Sequence, residues 1–364
     1  MKINEELTVI IPTKDRKVHV NRWLTYANEI KFPFKLFIAD GAEDNSMFDY
    51  FSKKELFPNI NYEYVKFPFD KSYNEVWMKY YESLKKIKTK YVAFGNDDDL
   101  FTTVGLKKSL EFLKNNPDFS SCGGTFGAFS LNNFNPTNLY IYHTIDPSKI
   151  SITDDSSMRR VKNFFNNYGL TFYDVTSTEI ALKAYKFVNE YKIQNMLLVE
   201  LFTSFFIIAS GKRHSLDCLY LFREYSQKDS WSNDFRNKNG GIISQMLEET
   251  WSKDINNFFK IVAQTVRDND QIKLEELIAE IKEGYLQYIN KGLNKRQRNE
   301  KNSFNYDLFK FIKSIVKKFD KNFKIRKLIL KIKMYFSGLS KPNEKEVNDI
   351  IKFLNKFYSK NTNI

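Results

Sequence analysis

Three consecutive aspartates, Asp97, Asp98 and Asp99, are the side chains in this sequence with the clearest capacity for chemistry. They follow Tyr91–Phe94, a short apolar run that is typical of a buried strand. Adjacent carboxylates repel one another unless a cation or water stabilises them. Carboxylate oxygens on a tight turn suit Mg²⁺ or Mn²⁺, and these ions usually also bind substrate phosphates. The pattern therefore predicts either a metal site or a solvated acidic turn, with Asp99 capping a helix that starts near Thr102.

Strands and helices alternate around this turn. Short apolar runs predict strands at 8–11, 36–39, 62–66 and 91–94, and helical spacing predicts helices at 18–29, 73–86 and 106–113. Such alternation predicts an α/β fold, with a mostly parallel sheet covered by helices on both faces. Ligands of such sheets bind at the carboxyl ends of the strands, and the three aspartates stand at one of these ends.

The second half of the chain has a different pattern. Residues 122–177 are rich in aromatic residues, Asn and Thr, which favours a sheet extension with long loops. Residues 195–210 are strongly apolar and predict a buried helix that ends at Gly211. Helical spacing dominates after about residue 240. We therefore expect a catalytic or binding domain at 1–240 and a helical extension at 241–364.

Composition narrows the class of protein. The 364 residues are 42% hydrophobic, which is enough for a substantial core. Two cysteines exclude a disulfide scaffold, and the three histidines are too far apart for metal-ligand spacing. The net charge of +13 favours an anionic partner. No run is long and apolar enough to span a bilayer, and the first residues do not form a secretory signal, so we expect a cytoplasmic protein.

Four segments together resemble family 2 glycosyltransferases. Residues 9–16 read V-I-I-P-T-K-D-R, which is similar to the V-I-I-P-T-x-N-R pattern of the family's first strand and turn. Residues 36–41 end in Asp-Gly, as the family's second strand does, and 72–74 resemble the Asn-containing segment that opens its third helix. Residues 91–99 match its strand and DxD motif. The four motifs occur in the family's order and cover about residues 5–115.

The resemblance implies a GT-A fold, with a Rossmann-like nucleotide-binding half at 1–115 and an acceptor-binding half at 116–240. It implies metal-dependent transfer of a sugar from a nucleotide-sugar donor to a hydroxyl of a glycan, lipid-linked or protein acceptor. The donor-binding residues carried over are Pro12, Thr13, Asp15, Arg16, Asp40, Asn74, Asp97 and Asp98, and the ligands of Mg²⁺ or Mn²⁺ are Asp97, Asp98 and Asp99. Three of these positions also have purely structural interpretations: Pro12 would end a strand, Asp40 would cap a turn and Asn74 would cap a helix.

Glu200 is the single charged residue in the apolar stretch 195–209. A buried carboxylate has a raised pKa, and such groups cluster at functional sites. An inverting transfer needs a base for the acceptor hydroxyl, and the resembled family places an acid in this window. We therefore predict Glu200 as the catalytic base, with Glu179 and Asp217 as reserves. The alternative is a structural Glu on an exposed helix edge, or one paired with Lys212 or Arg213.

Arg223 is predicted to stabilise the negative charge that develops on the leaving group, as guanidinium groups do beside phosphates. The alternative is an ion pair between Arg223 and its neighbour Glu224 or another acid.

The segment 308–336 carries ten Lys or Arg residues and a single acid, Asp320, on a helical pattern of apolar residues. A basic amphipathic helix suits an anionic membrane surface, which would place the protein peripherally on the inner face of the plasma membrane. The alternative is a helical cap on the catalytic domain. No motif supports nucleic-acid binding, and we expect none.

Two other functions are compatible with parts of the pattern. A nucleotidyltransferase would share the Rossmann-like half, but it should show a Gly-rich phosphate loop, and residues 1–30 contain no Gly. A non-catalytic membrane- or nucleic-acid-binding protein would use the basic segment alone. The Asn- and Lys-rich composition suggests an AT-rich bacterial genome, for which synthesis of a surface polysaccharide is the natural expectation.

Overall fold

The computed structural model describes residues 4–132, 135–142, 150–169, 171–224, 235, 237–270, 272–301 and 344–360. The strands are β1 (Asn4–Thr13), β2 (Phe34–Asp40), β3 (Tyr62–Lys66), β4 (Tyr91–Phe94), β5 (Leu100–Phe101), β6 (Phe119–Asn132), β7 (Asn135–Tyr142), β8 (Val175–Ser177) and β9 (Lys212–Glu224). The helices are α1 (Lys17–Glu29), α2 (Ser46–Phe51), α3 (Tyr73–Lys86), α4 (Thr103–Asn115), α5 (Ser157–Asn166), α6 (Thr178–Glu190), α7 (Met196–Ser210), α8 (Ile242–Gln245), α9 (Ser252–Asp270), α10 (Leu274–Lys301) and α11 (Glu344–Lys360).

The described strands form one mixed sheet in the order β3-β2-β1-β4-β8-β6-β9-β5, with β7 paired to β6. The first four strands in this order are mutually parallel, with Thr13 opposite Asp40 where β1 and β2 end. β8 is antiparallel to both β4 and β6, whereas β6 and β9 are parallel. The predicted α/β architecture, a sheet flanked by helices with further helices at the C-terminal end, is confirmed.

Helices cover both faces of the sheet because its strands are apolar on both sides. Neighbouring strand residues point to opposite faces. Val9 and Ile11 accordingly lie in one apolar core and Ile10 in the other, while Ile38 and Phe37 divide in the same way on β2. The first core contains residues of α1, α2, α4 and α11. The second contains residues of α3, α5, α6, α7, α9 and α10.

The middle of the chain contains a helix that the sequence pattern did not predict. Residues 122–177 do contribute β6, β7 and β8, but α5 lies between them, and Ser156 caps it by accepting a hydrogen bond from the backbone of Arg159. This helix packs against α7 and α10, so its apolar residues belong to the second core.

The predicted helical extension divides between the two faces of the sheet. α9 and α10 pack with α5 and α7 on the second face. α11 returns to the first face, where the rings of Tyr26 on α1 and Phe353 on α11 lie 5.2 Å apart. The basic segment 308–336 lies outside the described residues. In the described part of the chain, no helix has the length and apolar character needed to cross a membrane.

Candidate active site

The site is located where the strand order reverses. The chain runs from β1 outward through β2 and β3, and then returns to place β4 on the other side of β1. A crevice opens at such a switch point outside the carboxyl ends of the two central strands, and ligands of open α/β sheets bind there. Thr13 ends β1, and its hydroxyl donates a 2.7 Å hydrogen bond to Asp97 Oδ2 beyond the end of β4.

Asp97, Asp98 and Asp99, here called the acidic turn, are oriented by different partners. Arg16 Nη1 lies 2.5 Å from Asp97 Oδ1 and 3.3 Å from Asp98 Oδ2, so two carboxylates converge on one cation. Asp99 faces the other way and accepts hydrogen bonds from the Tyr173 hydroxyl at 2.6 Å and from the backbone N–H of Glu224 at 3.0 Å.

Two of these carboxylates are out of contact with water. Burial raises the pKa of Asp97 to about 6, against the opposing effect of Arg16. Burial, followed by the charge of Asp98, raises the pKa of Asp99 to about 7, although Arg223 acts in the opposite direction. A further cation beside the acidic turn would therefore stabilise its ionised form. The helix that follows is capped by Thr102, which accepts from the Gly105 backbone at 3.1 Å, so Asp99 does not have the predicted alternative role of helix cap.

The acidic turn has two carboxylates with the chemistry to bind a divalent cation. Among the described residues, no group of three or more His, Cys, Asp or Glu side chains is arranged around one point. Asp97 and Asp98 do converge, on the guanidinium nitrogen of Arg16. Mg²⁺ is commonly bound by one or two carboxylates together with substrate phosphates, so this pair has the chemistry such an ion requires. Asp99 is engaged by Tyr173 and by the backbone of Glu224.

The turn after β1 has a special backbone conformation. Asp15 has a φ of 53°, in the left-handed region that Asn and Asp tolerate better than most residues. The chain then enters α1 with the Arg16 side chain directed to the acidic turn. Asp15 itself is exposed, and Pro12 lies within β1, opposite Ala39 of β2.

Asp40 lies on the other side of Thr13 from the acidic turn. Its side chain is buried, with Oδ1 accepting a 2.8 Å bond from the Ala42 backbone and Oδ2 lying 3.7 Å from Lys66 Nζ. The adjacent Gly41 has a steric reason to be glycine, because a Cβ at this position would overlap the carboxylate of Asp70.

Asp70 forms a buried ion pair with Lys79, which also donates to the Thr13 carbonyl at 3.0 Å. Because Lys79 lies on α3, the pair connects this helix to the residues at the ends of β1 and β2. Asn74 lies in the first turn of α3 with an exposed side chain, and the helix cap is Ser72, which accepts from the Asn74 backbone. The predicted capping function thus belongs to Ser72.

Arg223 lies beside the acidic turn. Its Nε is 3.7 Å from Asp99 Oδ2, and its guanidinium is stacked over the Tyr173 ring at 5.2 Å. The predicted alternative of pairing with an acid is what the structure shows, but the partner is Asp99, since the Glu224 carboxylate pairs with Arg22.

Glu200 is half-buried on α7, close enough to Tyr80, Tyr185 and Tyr288 to raise their pKa values further after the main effect of burial. Tyr80 stacks on Phe94 at 5.1 Å, and Phe94 is the last residue of β4 before the acidic turn. Tyr80 thus contacts the last residue of β4 and lies within electrostatic range of Glu200.

The predicted structural partners of Glu200 are engaged with other acids. Lys212 pairs with Asp118 and Asp155, and Arg213 pairs with Asp174 at 2.7 Å. The reserve candidate Glu179 is exposed and pairs with Lys183, and Asp217 is exposed as well.

Sequence reasoning missed several residues that shape this site. Tyr173 was assigned to no role, yet its hydroxyl joins Asp99 to Asn96, which donates to it at 2.6 Å. Arg22 and the Asp70–Lys79 pair were also not identified. No local motif marks these residues, because each becomes a neighbour of the acidic turn or of Thr13 only through the tertiary fold.

Comparisons with known proteins give distant similarities. No protein-family model matches the chain, and no curated protein matches it. The solved structure of S. aureus TarS 1–349 is similar with a TM-score of 0.46 at 13% identity, over 79% of this chain and 72% of that one. The complex of TarS 1–349 with UDP-GlcNAc gives 0.46 at 14% identity, over 79% and 73%. The complex with UDP gives 0.46 at 14%, over 77% and 70%. Similarity at this level assigns no function to this chain.

Proposed function

We propose that the protein is a nucleotide-sugar-dependent glycosyltransferase of the GT-A type. The observation that carries the proposal is the meeting of the acidic turn with Thr13 and Arg16 at the switch point between β1 and β4. Asp40 ends the adjacent strand β2, opposite Thr13, and would face the nucleoside. A crevice of this kind, lined by the carboxyl ends of parallel strands, suits a nucleotide ligand.

Each end of the site has a chemical task. The Asp40 carboxylate and the β1 turn would bind the nucleoside. Asp97 and Asp98 would hold Mg²⁺ or Mn²⁺, which when bound would neutralise the donor diphosphate. Arg223 would stabilise the diphosphate as it leaves, since a fixed guanidinium favours developing negative charge. Arg16 shares carboxylates with the proposed ion, so it would shift toward the phosphates when the ion binds.

The proposed reaction inverts the anomeric centre. The acceptor hydroxyl oxygen attacks the anomeric carbon and forms the new glycosidic bond. The bond from that carbon to the diphosphate oxygen breaks, and its electron pair leaves with the diphosphate. Glu200 takes the proton of the hydroxyl. The acceptor we propose is a hydroxyl of a glycan, lipid-linked or protein substrate in a bacterial surface polysaccharide pathway.

A thermal-shift screen tests this function directly. UDP, GDP, CMP and dTDP are each added with and without Mn²⁺, at concentrations well above any expected Kd. A ligand at 100 times its Kd stabilises the folded state by about 2.7 kcal/mol, which raises Tm by about 3 to 4 °C for a chain of this length. We expect one nucleotide to give this shift in the presence of Mn²⁺ only. If no nucleotide shifts Tm in a well-folded sample, the protein is better regarded as a non-catalytic binding protein.

We also propose that the segment 308–336 attaches the enzyme to anionic membranes. Its ten basic residues and single acid give the charge that such a surface attracts. We expect the full chain to cosediment with phosphatidylglycerol-containing vesicles and not with pure phosphatidylcholine. Each basic residue near the surface contributes about 1 kcal/mol, so Lys317→Gln with Lys318→Gln should weaken binding about ten- to thirtyfold. Lys107→Gln with Lys108→Gln, an exposed pair on α4, is the control. Equal losses in both variants would remove the assignment to this segment.

A further inference from the structure

Three buried side chains connect the C-terminal helix to the acidic turn. Arg22 lies on α1, Glu224 at the end of β9 and Tyr358 on α11. Arg22 Nη1 lies 2.6 Å from Glu224 Oε2 and donates to the Tyr358 hydroxyl at 2.7 Å. The other terminal nitrogen, Nη2, donates to the backbone carbonyl of Asp98 at 2.7 Å. One guanidinium thus joins the acidic turn to three separate elements of the fold.

Glu224 holds the same turn at a second point. Its carboxylate accepts from Arg22, while its own backbone N–H donates to Asp99 Oδ1 at 3.0 Å. The Asp98 carbonyl and the Asp99 carboxylate are therefore both fixed by the Arg22–Glu224 pair. The orientation of the acidic turn depends on how firmly this pair is held.

The Arg22–Glu224 pair is fully buried. Both side chains are 0% exposed, so losing a hydrogen bond to the Arg22 guanidinium would leave a buried polar group without that partner, which destabilises the fold. Burial acts to lower the pKa of Arg22, but the charge of Glu224 and the hydrogen bonds to Glu224 and Tyr358 raise it above its usual value, so the guanidinium stays charged. The Tyr358 hydroxyl is the contribution of α11 to this arrangement.

The hydroxyl of Tyr358 can be removed without removing the contacts that pack α11 on the rest of the protein. Leu354 and Phe357 of α11 are buried in the first core, and Phe353 packs on Tyr26. On the surface, Lys356 pairs with Glu29 at 2.7 Å. Replacing the hydroxyl by hydrogen should therefore leave α11 in place.

We propose that Tyr358 is a positioning residue for the acidic turn, acting through Arg22, and that α11 is consequently a structural part of the donor site. The consequence for ligand binding rests on the proposed function, whereas the effect on the turn itself does not. The two therefore need separate measurements.

The first measurement is hydrogen–deuterium exchange in the full chain. Tyr358→Phe should speed exchange in a peptide covering residues 95–101 about fivefold, because the turn loses part of its support. Tyr285→Phe is the matched control, since it removes a buried hydroxyl that donates to the Met246 carbonyl at 3.0 Å in the helical part of the second core. It should leave that peptide unchanged. Unchanged exchange in Tyr358→Phe, or the same increase in both variants, would overturn the proposal.

Arg22→Lys is a second variant of the same contact. It keeps the positive charge but has only one terminal nitrogen, so it cannot reach both Glu224 and the Asp98 carbonyl as the guanidinium does. It should speed exchange in the same peptide.

The second measurement is binding of Mn²⁺ alone, followed by the electron paramagnetic resonance signal of the free ion. Tyr358→Phe should weaken Mn²⁺ binding about three- to tenfold, and Tyr285→Phe should not. Faster exchange with unchanged Mn²⁺ affinity would refute the link between α11 and the donor site. Absence of Mn²⁺ binding in the unmodified protein would instead count against the metal role in the proposed function, and the exchange result would still decide the positioning role.

Discussion

Asp97→Asn combined with Asp98→Asn should lower sugar transfer about 10³-fold and leave the fold intact. These two carboxylates converge on Arg16, and an amide cannot replace a carboxylate in neutralising a divalent cation. Loss of metal stabilisation is worth several kcal/mol in the transition state, and each 1.36 kcal/mol is about a factor of ten in rate. The measurement is release of the nucleotide identified in the thermal-shift screen from sugar donors that carry it. Asn retains an oxygen that can accept from the Thr13 hydroxyl, so Tm should change little.

Asp118→Asn with Asp155→Asn is the matched control for this variant. These two acids also share one cation, Lys212, at 2.9 and 2.7 Å. Lys212 begins β9, whereas Arg223 and Glu224 stand at its other end, so the control removes two charges at a distance from the site. Surface pairs of this kind contribute about 0 to 1 kcal/mol to stability. Full transfer activity in the Asp97 and Asp98 double variant would refute the metal role of the acidic turn.

The parallel part of the fold could be predicted because its signals are local. β1, β2 and β4 each contain a continuous apolar run, at 9–11, 36–39 and 91–94, and a polar residue follows each run within two positions. Strands that are apolar on both faces must be covered by helices on both faces, so the α/β class could be inferred from the sequence pattern alone. The acidic turn and Asp40 lie at strand ends for the same reason. Their placement at one edge of the sheet followed from the parallel order alone.

The residues that hold the acidic turn in place could not be predicted, because no local sequence pattern marks them. Arg22 is one of several basic residues in a helical pattern, and its partners Glu224 and Tyr358 are 202 and 336 positions away in the sequence. The same holds for Tyr173, which resembles any core aromatic until the fold brings it to Asp99. Composition also grouped α11 with the other C-terminal helices, although it packs on the opposite face of the sheet from α9 and α10.

Glu200→Gln should lower kcat about 10²- to 10⁴-fold, which is the usual contribution of a general base, and should leave donor affinity unchanged. Gln has almost the same shape but cannot accept the acceptor's proton. The measurement is kcat against pH, together with the Kd of the nucleotide found in the thermal-shift screen. If Glu200 is the base, the fall of kcat toward acidic pH in the unmodified enzyme should be absent from Glu200→Gln.

The position of Glu200 makes this the sharpest test of the proposed mechanism. Burial raises the pKa of Tyr80, and the charges of Asp70, Asp97 and Glu200 raise it further, so Glu200 and the acidic turn both act on this hydroxyl. In the proposed inverting transfer, Glu200 would act on the acceptor hydroxyl while a metal ion would act on the donor diphosphate. Glu190→Gln on the neighbouring helix α6, where Glu190 pairs with Lys186 at 3.5 Å, is the control and should keep full turnover. Normal kcat in Glu200→Gln would exclude it as the base. A lowered Tm with a proportional loss of donor binding would instead show that the half-buried carboxylate supports α7, and the base would then have to be sought elsewhere at this site.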